Sequence, residues 1–194
     1  MAAPYHHGNL RQALVETAVE LAREKGPDGV VLREVARQTG VSHNAAYRHF
    51  ADREELSAEV AAVAMGTLER AMTERIARVR EKDPAKRARR RLREVGRAYV
   101  LFALAEPGLF EVAFSGSLHK DLAGPYAVLN RVLDEIVAAG DLAPERRAGA
   151  DVVCWAAVHG FASLHTRGPL QVVPAAERDA VLDQLLTTID LGLR

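Results

Sequence analysis

The sequence has little of several features that would narrow its chemistry. A single cysteine, Cys154, among 194 residues excludes a disulfide framework and a zinc site built on cysteines. The most apolar stretches, 98–105 and 152–158, are far shorter than the roughly 20 residues of a membrane-spanning helix. The start, MAAPYHHGNLRQ, lacks the apolar core of a signal peptide. We therefore expect a soluble chain that works in the reducing cytoplasm and has no membrane partner.

The sequence also lacks an excess of charge of either sign. Lysine and arginine together number 26, and so do aspartate and glutamate. The first 58 residues carry seven basic and eight acidic side chains, although domains that bind nucleic acid are usually basic. A nucleic-acid function must therefore rest on the local placement of charges and not on their total.

Patterns typical of enzymes are missing as well. No two of the seven histidines are four residues apart, the spacing that places two metal ligands on one helix face. There is no phosphate-binding loop and no dinucleotide fingerprint, and Ser115-Gly116-Ser117 has no strand before it. Cys154 lies in an apolar run typical of a core. We predict a protein that is not an enzyme and holds no cofactor or metal.

Apolar residues recur with helical periodicity nearly everywhere, and no stretch alternates with a period of two. The sequence thus predicts an all-α fold of about nine helices, punctuated by glycine and proline. A first helix runs from about Leu10 to the Gly26-Pro27 stop. The others are expected at about 32–39, 43–50, 53–80, 85–105, 107–114, 121–139, 145–167 and 174–192.

Two short predicted helices, 32–39 and 43–50, have the residues that a helix-turn-helix needs. Ala36 is small enough for the helices to cross closely, and Gly40 permits the positive φ of the turn. Val41 is the apolar residue that fixes the turn to the core, and Ser42 is a good N-cap for the second helix.

The second helix of the pair presents side chains suited to DNA. Asn44 can pair with an adenine edge, Arg48 with guanine or phosphate, and Ala45 with a thymine methyl group. Phosphates are the expected partners of neighbouring polar groups and helix N-termini. The predicted DNA-contacting residues are Arg33, Ser42, His43, Asn44, Ala45, Tyr47, Arg48, His49 and Arg53. The same offsets occur in ordinary helical hairpins, so a protein-binding adaptor remains the alternative.

Four segments give a more specific match. Tyr5–Arg11, Leu32–Ala36, Gly40–Ser42 and Tyr47–Phe50 together resemble the tetracycline-repressor (TetR) family of regulators over about residues 5–60. The resemblance implies that residues 1–52 are a three-helix DNA-binding domain whose third helix reads the operator. It also implies that residues 53–194 form a helical domain that binds an effector and dimerises.

Three positions depart from the family pattern. Val31 stands where a serine or threonine often caps the following helix, a loss of about 1 kcal/mol unless another group caps it. Ala46 replaces a common leucine, so the recognition helix buries less apolar area there. Arg53 replaces the usual phosphate-contacting lysine and keeps its charge.

Beyond residue 60 the resemblance is local. Trp155 and His159-Gly160 look like the Trp…His-Gly signature of one C-terminal domain type in the family. Four-residue spacing places both rings on one helix face, where they could line a pocket for a small apolar or amphipathic effector. The candidate pocket residues are Phe102, Phe110, Phe114, Trp155 and His159. A histidine satisfied in the core and ordinary core aromatics are the alternative interpretation.

The last helix carries an apolar stripe made of Val181, Leu182, Leu185, Leu186 and Ile189. In the family the last two helices form a four-helix dimer interface, which implies a homodimer on a near-palindromic operator. A repressor released by a small effector is the function that the resemblance favours. The basic run 86–93 is expected to be a solvated helix face and not a second nucleic-acid or membrane patch.

Overall fold

The computed structural model describes residues 10–115 and 123–194. Within these residues the chain forms ten α-helices and one 3-10 turn, Gly26–Gly29, with no strand, which confirms the all-α prediction. The Tyr5–Asn9 part of the resemblance and the first residues of the predicted helix 121–139 lie outside the described residues. The helices are α1 Leu10–Lys25, α2 Leu32–Thr39, α3 His43–Tyr47, α4 Arg53–Ala77, α5 Pro84–Ala105, α6 Pro107–Phe114, α7 Ala123–Ala138, α8 Pro144–Arg147, α9 Ala150–Thr166 and α10 Ala175–Gly192.

The prediction of a single helix over residues 145–167 is wrong. The chain forms α8, a single turn begun by Pro144, and then α9, with a break at Ala148-Gly149. Gly149 has φ +77°, a left-handed conformation that cannot continue an α-helix. This break gives ten helices where about nine were expected. None of the helices in the described ranges is both long and apolar enough to cross a membrane.

The backbone divides into two compact units, and the first takes the chain up to Met65 together with the stretch from Glu106. It contains α1, α2, α3, the start of α4, and α6. Its core side chains are fully buried and include Leu14, Val35, Phe50 and Leu56. The chain therefore leaves the second unit after α5 to contribute α6 to the first.

Helix α6 packs against α1 and the 3-10 turn. Gly108, near the start of α6, lies against the backbone of α1, where a Cβ atom would stand 2.1 Å from the Ala22 carbonyl oxygen. Only glycine permits this approach. The sequence offered the turn Glu106-Pro107-Gly108 as helix punctuation but gave no sign that Gly108 is a packing residue.

The second unit consists of Gly66–Ala105 and Leu122–Arg194. Helix α5 is at its centre and packs against α7, α9 and α10. The approach of α5 to α10 is close at Gly96, where a Cβ atom would lie 2.6 Å from the Leu186 side chain. The predicted boundary between residues 52 and 53 concerns which part of the chain binds DNA, and it stays a prediction.

The basic run on α5 is not a uniformly solvated face, and the prediction is wrong for Arg89. This side chain is 5% exposed. Its Nε donates to Asp141 at 2.7 Å, and its Nη1 donates to the Asp190 carboxylate at 3.2 Å and carbonyl at 3.0 Å. Arg89 thus ties α5 to the α7–α8 connection and to α10. Helix periodicity puts every third or fourth residue of a run on the core side, here between Ala88 and Leu92, which are also buried.

Candidate functional site

The turn between α2 and α3 has the geometry predicted from the sequence. Gly40 ends α2 with φ +76°, and the amide of Val41 donates to the Ala36 carbonyl at 3.0 Å. A Cβ atom at Gly40 would meet nothing within 4 Å, so the backbone angle and not space requires glycine there. Ala36 is 2% exposed at the helix crossing. The predictions for Ala36 and Gly40 are confirmed.

Helix α3 is short, and its capping fixes its position. The Ser42 hydroxyl accepts a hydrogen bond from the Ala45 amide at 3.2 Å, which confirms Ser42 as the N-cap. The helix ends at Tyr47, three residues earlier than expected. Ala46 is its fully buried residue. A buried alanine brings the α3 backbone close to the core and leaves the other residues of the helix outside.

The outer face of α3 is exposed. His43, Asn44, Tyr47 and Arg48 are solvent-exposed, with Tyr47 at 46%, whereas Ala45 is half-buried. The His43 and Tyr47 rings, one helical turn apart, lie 4.4 Å between centroids. The structure thus places His43, Asn44 and Tyr47 on one short helix, with Arg48 directly after it, and leaves the N-terminus of that helix exposed to solvent.

Helix α2 forms the other side of a groove beside α3. Arg33 is exposed, and His49, after α3, is half-buried. A groove of about 430 Å³ lies along both helices and is lined by Val31, Arg33, Glu34, Ala36, Arg37, Val41 and His43. The surface is therefore concave beside the reading helix.

Among the described residues that line this groove, Glu34 is the one carboxylate, and its charge is neutralised locally. Arg37 donates two hydrogen bonds to Glu34, at 2.8 and 2.6 Å, and Gln38 donates a third at 3.1 Å. These donors, Arg37 first, lower the pKa of Glu34 to about 2. Glu34 is thus charged at neutral pH, but its charge is matched by Arg37 and opposes an approaching phosphate less.

Arg53 has a structural task that the sequence did not reveal. Its Nε donates to the Val30 carbonyl at 2.9 Å and its Nη2 to the Pro27 carbonyl at 2.6 Å. It therefore ties the start of α4 to the end of the 3-10 turn while staying exposed. A role at phosphate stays a prediction. Val31 makes no side-chain cap for α2, so the expected loss of that cap is confirmed.

The second unit contains a polar cluster around Tyr99 of α5. A hydrogen bond of 2.7 Å joins the Tyr99 hydroxyl to His159 Nδ1, and Trp155 Nε1 donates to the same hydroxyl at 3.1 Å. The rings of Trp155 and His159 lie 6.5 Å apart, as expected for neighbours on α9. Tyr99 was missed because its apolar neighbours in the sequence gave it the appearance of a core residue.

Burial keeps this cluster neutral. Desolvation raises the pKa of Tyr99 and lowers the pKa of His159. The cluster therefore presents neutral hydrogen-bonding groups in an apolar region near pH 7. Next to it, burial raises the pKa of Cys154 to about 11, which matches the prediction of a core thiol.

The other predicted pocket residues fall into separate groups. Phe102 is buried and belongs to the second unit, as do the half-buried Trp155 and His159. Phe110 and Phe114 lie on α6 in the first unit, with ring centroids 4.9 Å apart. An effector pocket formed by all five stays a prediction.

Two family models match the chain. Residues 14–60 match the model described as bacterial regulatory proteins, tetR family, and residues 92–189, about half of the chain, match the tetracyclin repressor-like C-terminal domain. An uncharacterized HTH-type transcriptional regulator of Haemophilus influenzae is 45% identical over 51 residues. That match covers 26% of this chain and only 25% of the length of that relative.

Solved structures resemble the whole fold. A protein of unknown function from Rhodococcus sp. RHA1 is 31% identical, with 99% of each chain covered and a TM-score of 0.80. The transcriptional regulator FadR from Bacillus subtilis, solved in complex with stearoyl-CoA, is 18% identical, with 94% of this chain and 99% of that chain covered and a TM-score of 0.73. At that identity the second similarity shows the fold alone.

Proposed function

The chain belongs to the TetR family of bacterial regulatory proteins, and on this premise we propose that it is a repressor that binds a near-palindromic operator as a homodimer. A small apolar or amphipathic effector releases it. It acts in the cytoplasm, requires no cofactor and catalyses no reaction.

The observation that carries the proposal is the surface of α3. Ser42 caps the helix, buried Ala46 holds it against the core, and Asn44, Tyr47 and Arg48 are exposed together. Amide and guanidinium groups on a helix of this kind can pair with base edges in the major groove. Exposed polar groups around them, including Arg33, can position the protein on the phosphate backbone.

We expect Asn44→Ala and Arg48→Ala each to weaken operator binding about 5- to 150-fold, because each removes a base or phosphate contact worth about 1–3 kcal/mol. The operator is first selected from fragments of the source genome. Affinity is then measured by fluorescence anisotropy over a series of salt concentrations. Arg131→Ala, an exposed arginine of α7, is the matched control and should change the affinity less than twofold.

Salt dependence separates this function from that of a protein-binding adaptor. Operator binding that releases counterions falls steeply as log salt rises. If DNA binding is weak, equal for all sequences, or unchanged by both substitutions, the repressor proposal is wrong and an adaptor is favoured.

Support for a homodimer comes from the apolar outer faces of the last two helices. On α9, Val153 is 61% exposed and Leu164 44% exposed, and on α10 Val181 is 45% exposed. Leu182 and Leu186 of the predicted stripe are instead buried in the core of their own chain, so the stripe is only partly available to a partner. A Cβ atom at Gly160, which lies between Val153 and Leu164 along α9, would meet none of the described atoms within 4 Å, so this face of α9 has room for a second helix. A two-fold dimer would place two recognition helices about 34–36 Å apart, one turn of the duplex.

We expect the pair Leu164→Glu and Val181→Glu to convert the dimer to a monomer, because each would bury a charge in an apolar interface. Sedimentation velocity at micromolar concentration measures the change. Val172→Glu is the control: Val172 is 89% exposed in the α9–α10 connection and should leave the dimer intact. A wild-type chain that sediments as a monomer would contradict the interface.

The effector site that we propose includes the Tyr99–Trp155–His159 cluster and Phe102. Neutral polar groups among apolar side chains suit a ligand that is mostly apolar and carries a few hydrogen-bonding atoms. Binding would shift a population: the effector must prefer the DNA-incompetent state, typically by about 1–3 kcal/mol of coupling. Helix α4 contributes residues to both units, so a movement of this helix can couple effector binding to DNA binding.

A further inference from the structure

A second concave site lies in the second unit and is lined by arginines. It occupies about 390 Å³ where the end of α4, the following connection and α5 come together. Its lining residues are Arg75, Arg78, Val79, Arg80, Arg90, Arg93 and Glu94. The volume lies within the range of small-molecule sites.

The lining has a large excess of positive charge. Among the described lining residues, five guanidinium groups face one carboxylate, that of Glu94. Arg75 Nε donates to that carboxylate at 2.7 Å, so it has an ion-pair partner inside the cavity. The other four arginines have no carboxylate of their own among the lining residues. The cavity therefore has a net charge of about +4 before its surroundings are counted.

Carboxylates outside the lining form only long or solvent-exposed ion pairs with these arginines. Arg78 is 3.9 Å from Glu74, and Arg90 is 3.4 Å from Glu81. The Arg78 and Arg90 side chains are 75% and 64% exposed, so each ion pair has a strongly solvated partner and contributes little to stability. Arg93 donates to the Thr187 hydroxyl at 2.8 Å and lies 3.9 Å from the exposed carboxylate of Asp183. A stronger anion could thus replace these partners at small cost.

We propose that this cavity binds a small molecule with a diphosphate group. Guanidinium groups match phosphate oxygens with paired hydrogen bonds, and several of them are needed to balance a group with three or more negative charges. Arg75 and Arg78 approach from α4, and Arg90 and Arg93 from α5. Arginines that approach a concave space from two helices can surround a compact ligand. A nucleic-acid backbone instead requires an extended basic surface.

The site is separate from the proposed operator and effector sites and can be tested without DNA. Isothermal titration calorimetry with the full chain would use ADP, pyrophosphate and inorganic phosphate as probes. We expect ADP and pyrophosphate to bind at least tenfold more tightly than inorganic phosphate, with affinity falling as salt rises. The double variant Arg78→Gln with Arg90→Gln should weaken ADP binding about tenfold or more, because charge-assisted hydrogen bonds are lost.

Two further variants distinguish ADP binding at this cavity from a general effect of the protein's net charge. Glu94→Gln removes the one lining carboxylate and should tighten ADP binding several-fold, while Arg131→Gln, outside the cavity, should change it less than twofold. Thermal unfolding checks that each variant is folded. The proposal is overturned if ADP binds no better than phosphate, or if Arg131→Gln weakens binding as much as the double variant. It is equally overturned if the double variant is folded and binds ADP as tightly as wild type.

Discussion

Replacement of Arg89 by alanine is expected to lower the free energy of unfolding by about 3–5 kcal/mol at neutral pH. The side chain is 5% exposed and donates to Asp141 and Asp190. Its removal takes a donor from two carboxylates and two carbonyls, those of Asp141 and Asp190. Among the described residues, it leaves the 14% exposed Asp190 carboxylate with only the more distant Arg194, at 3.5 Å. An unpaired buried charge costs much more than the original ion pair contributed.

The measurement is urea unfolding followed by circular dichroism. Arg131→Ala is the control and should stay within about 0.5 kcal/mol of wild type, as surface substitutions usually do. A triple variant, Arg89→Met with Asp141→Asn and Asp190→Asn, should recover part of the loss, since it removes the orphaned charges too. If Arg89→Ala costs less than 1 kcal/mol, the cluster is not a tie between the helices.

Gly108→Ala is expected to destabilise the first unit by about 2–3 kcal/mol, the cost of overpacking a tightly fitted contact. The new Cβ would lie 2.1 Å from the Ala22 carbonyl oxygen and 3.0 Å from that of Arg23. Both atoms belong to the backbone of α1, which cannot move aside as a flexible side chain can. Helix α6 would therefore have to shift away from α1.

Gly66→Ala is the matched control, because Gly66 lies inside α4 and a Cβ atom there would meet no atom of the described ranges within 4 Å. The same chemical change should stabilise this site by about 0.5–1 kcal/mol through helix propensity. Thermal unfolding then shows melting temperatures that move in opposite directions for the two variants. Two shifts of the same sign would contradict the close approach of α6 to α1.

Local features of the fold were predictable from the sequence because their causes are local. The bounds of α2, the left-handed Gly40 and the Ser42 cap depend on residues within one turn of the chain. The exposed face of α3 followed from its polar residues. The break at Gly149 was missed because Pro144 is a plausible helix start and Gly149 was not treated as a stop, although glycine is the residue that permits the positive φ found there.

Features that depend on distant residues were not predictable. Arg53 was expected to face phosphate, but its partners, the carbonyls of Pro27 and Val30, are set by how the 3-10 turn meets α4. Arg89 was hidden in a basic run because Asp141 and Asp190 approach it only in the folded chain. Tyr99 is 60 residues from His159, so the sequence shows no relation between them.

The contribution of α6 to the first unit limits how such a regulator can be recombined. A chimera that exchanges only the first 65 residues would pair a foreign α1 with the resident Pro107–Phe114 segment. The hybrid would pack as closely only if the incoming α1 exposes its backbone opposite Gly108, as the helix does at Ala22 here. Transfer of operator specificity therefore requires two segments of the gene to move together, and crossovers that separate them should yield unstable hybrids.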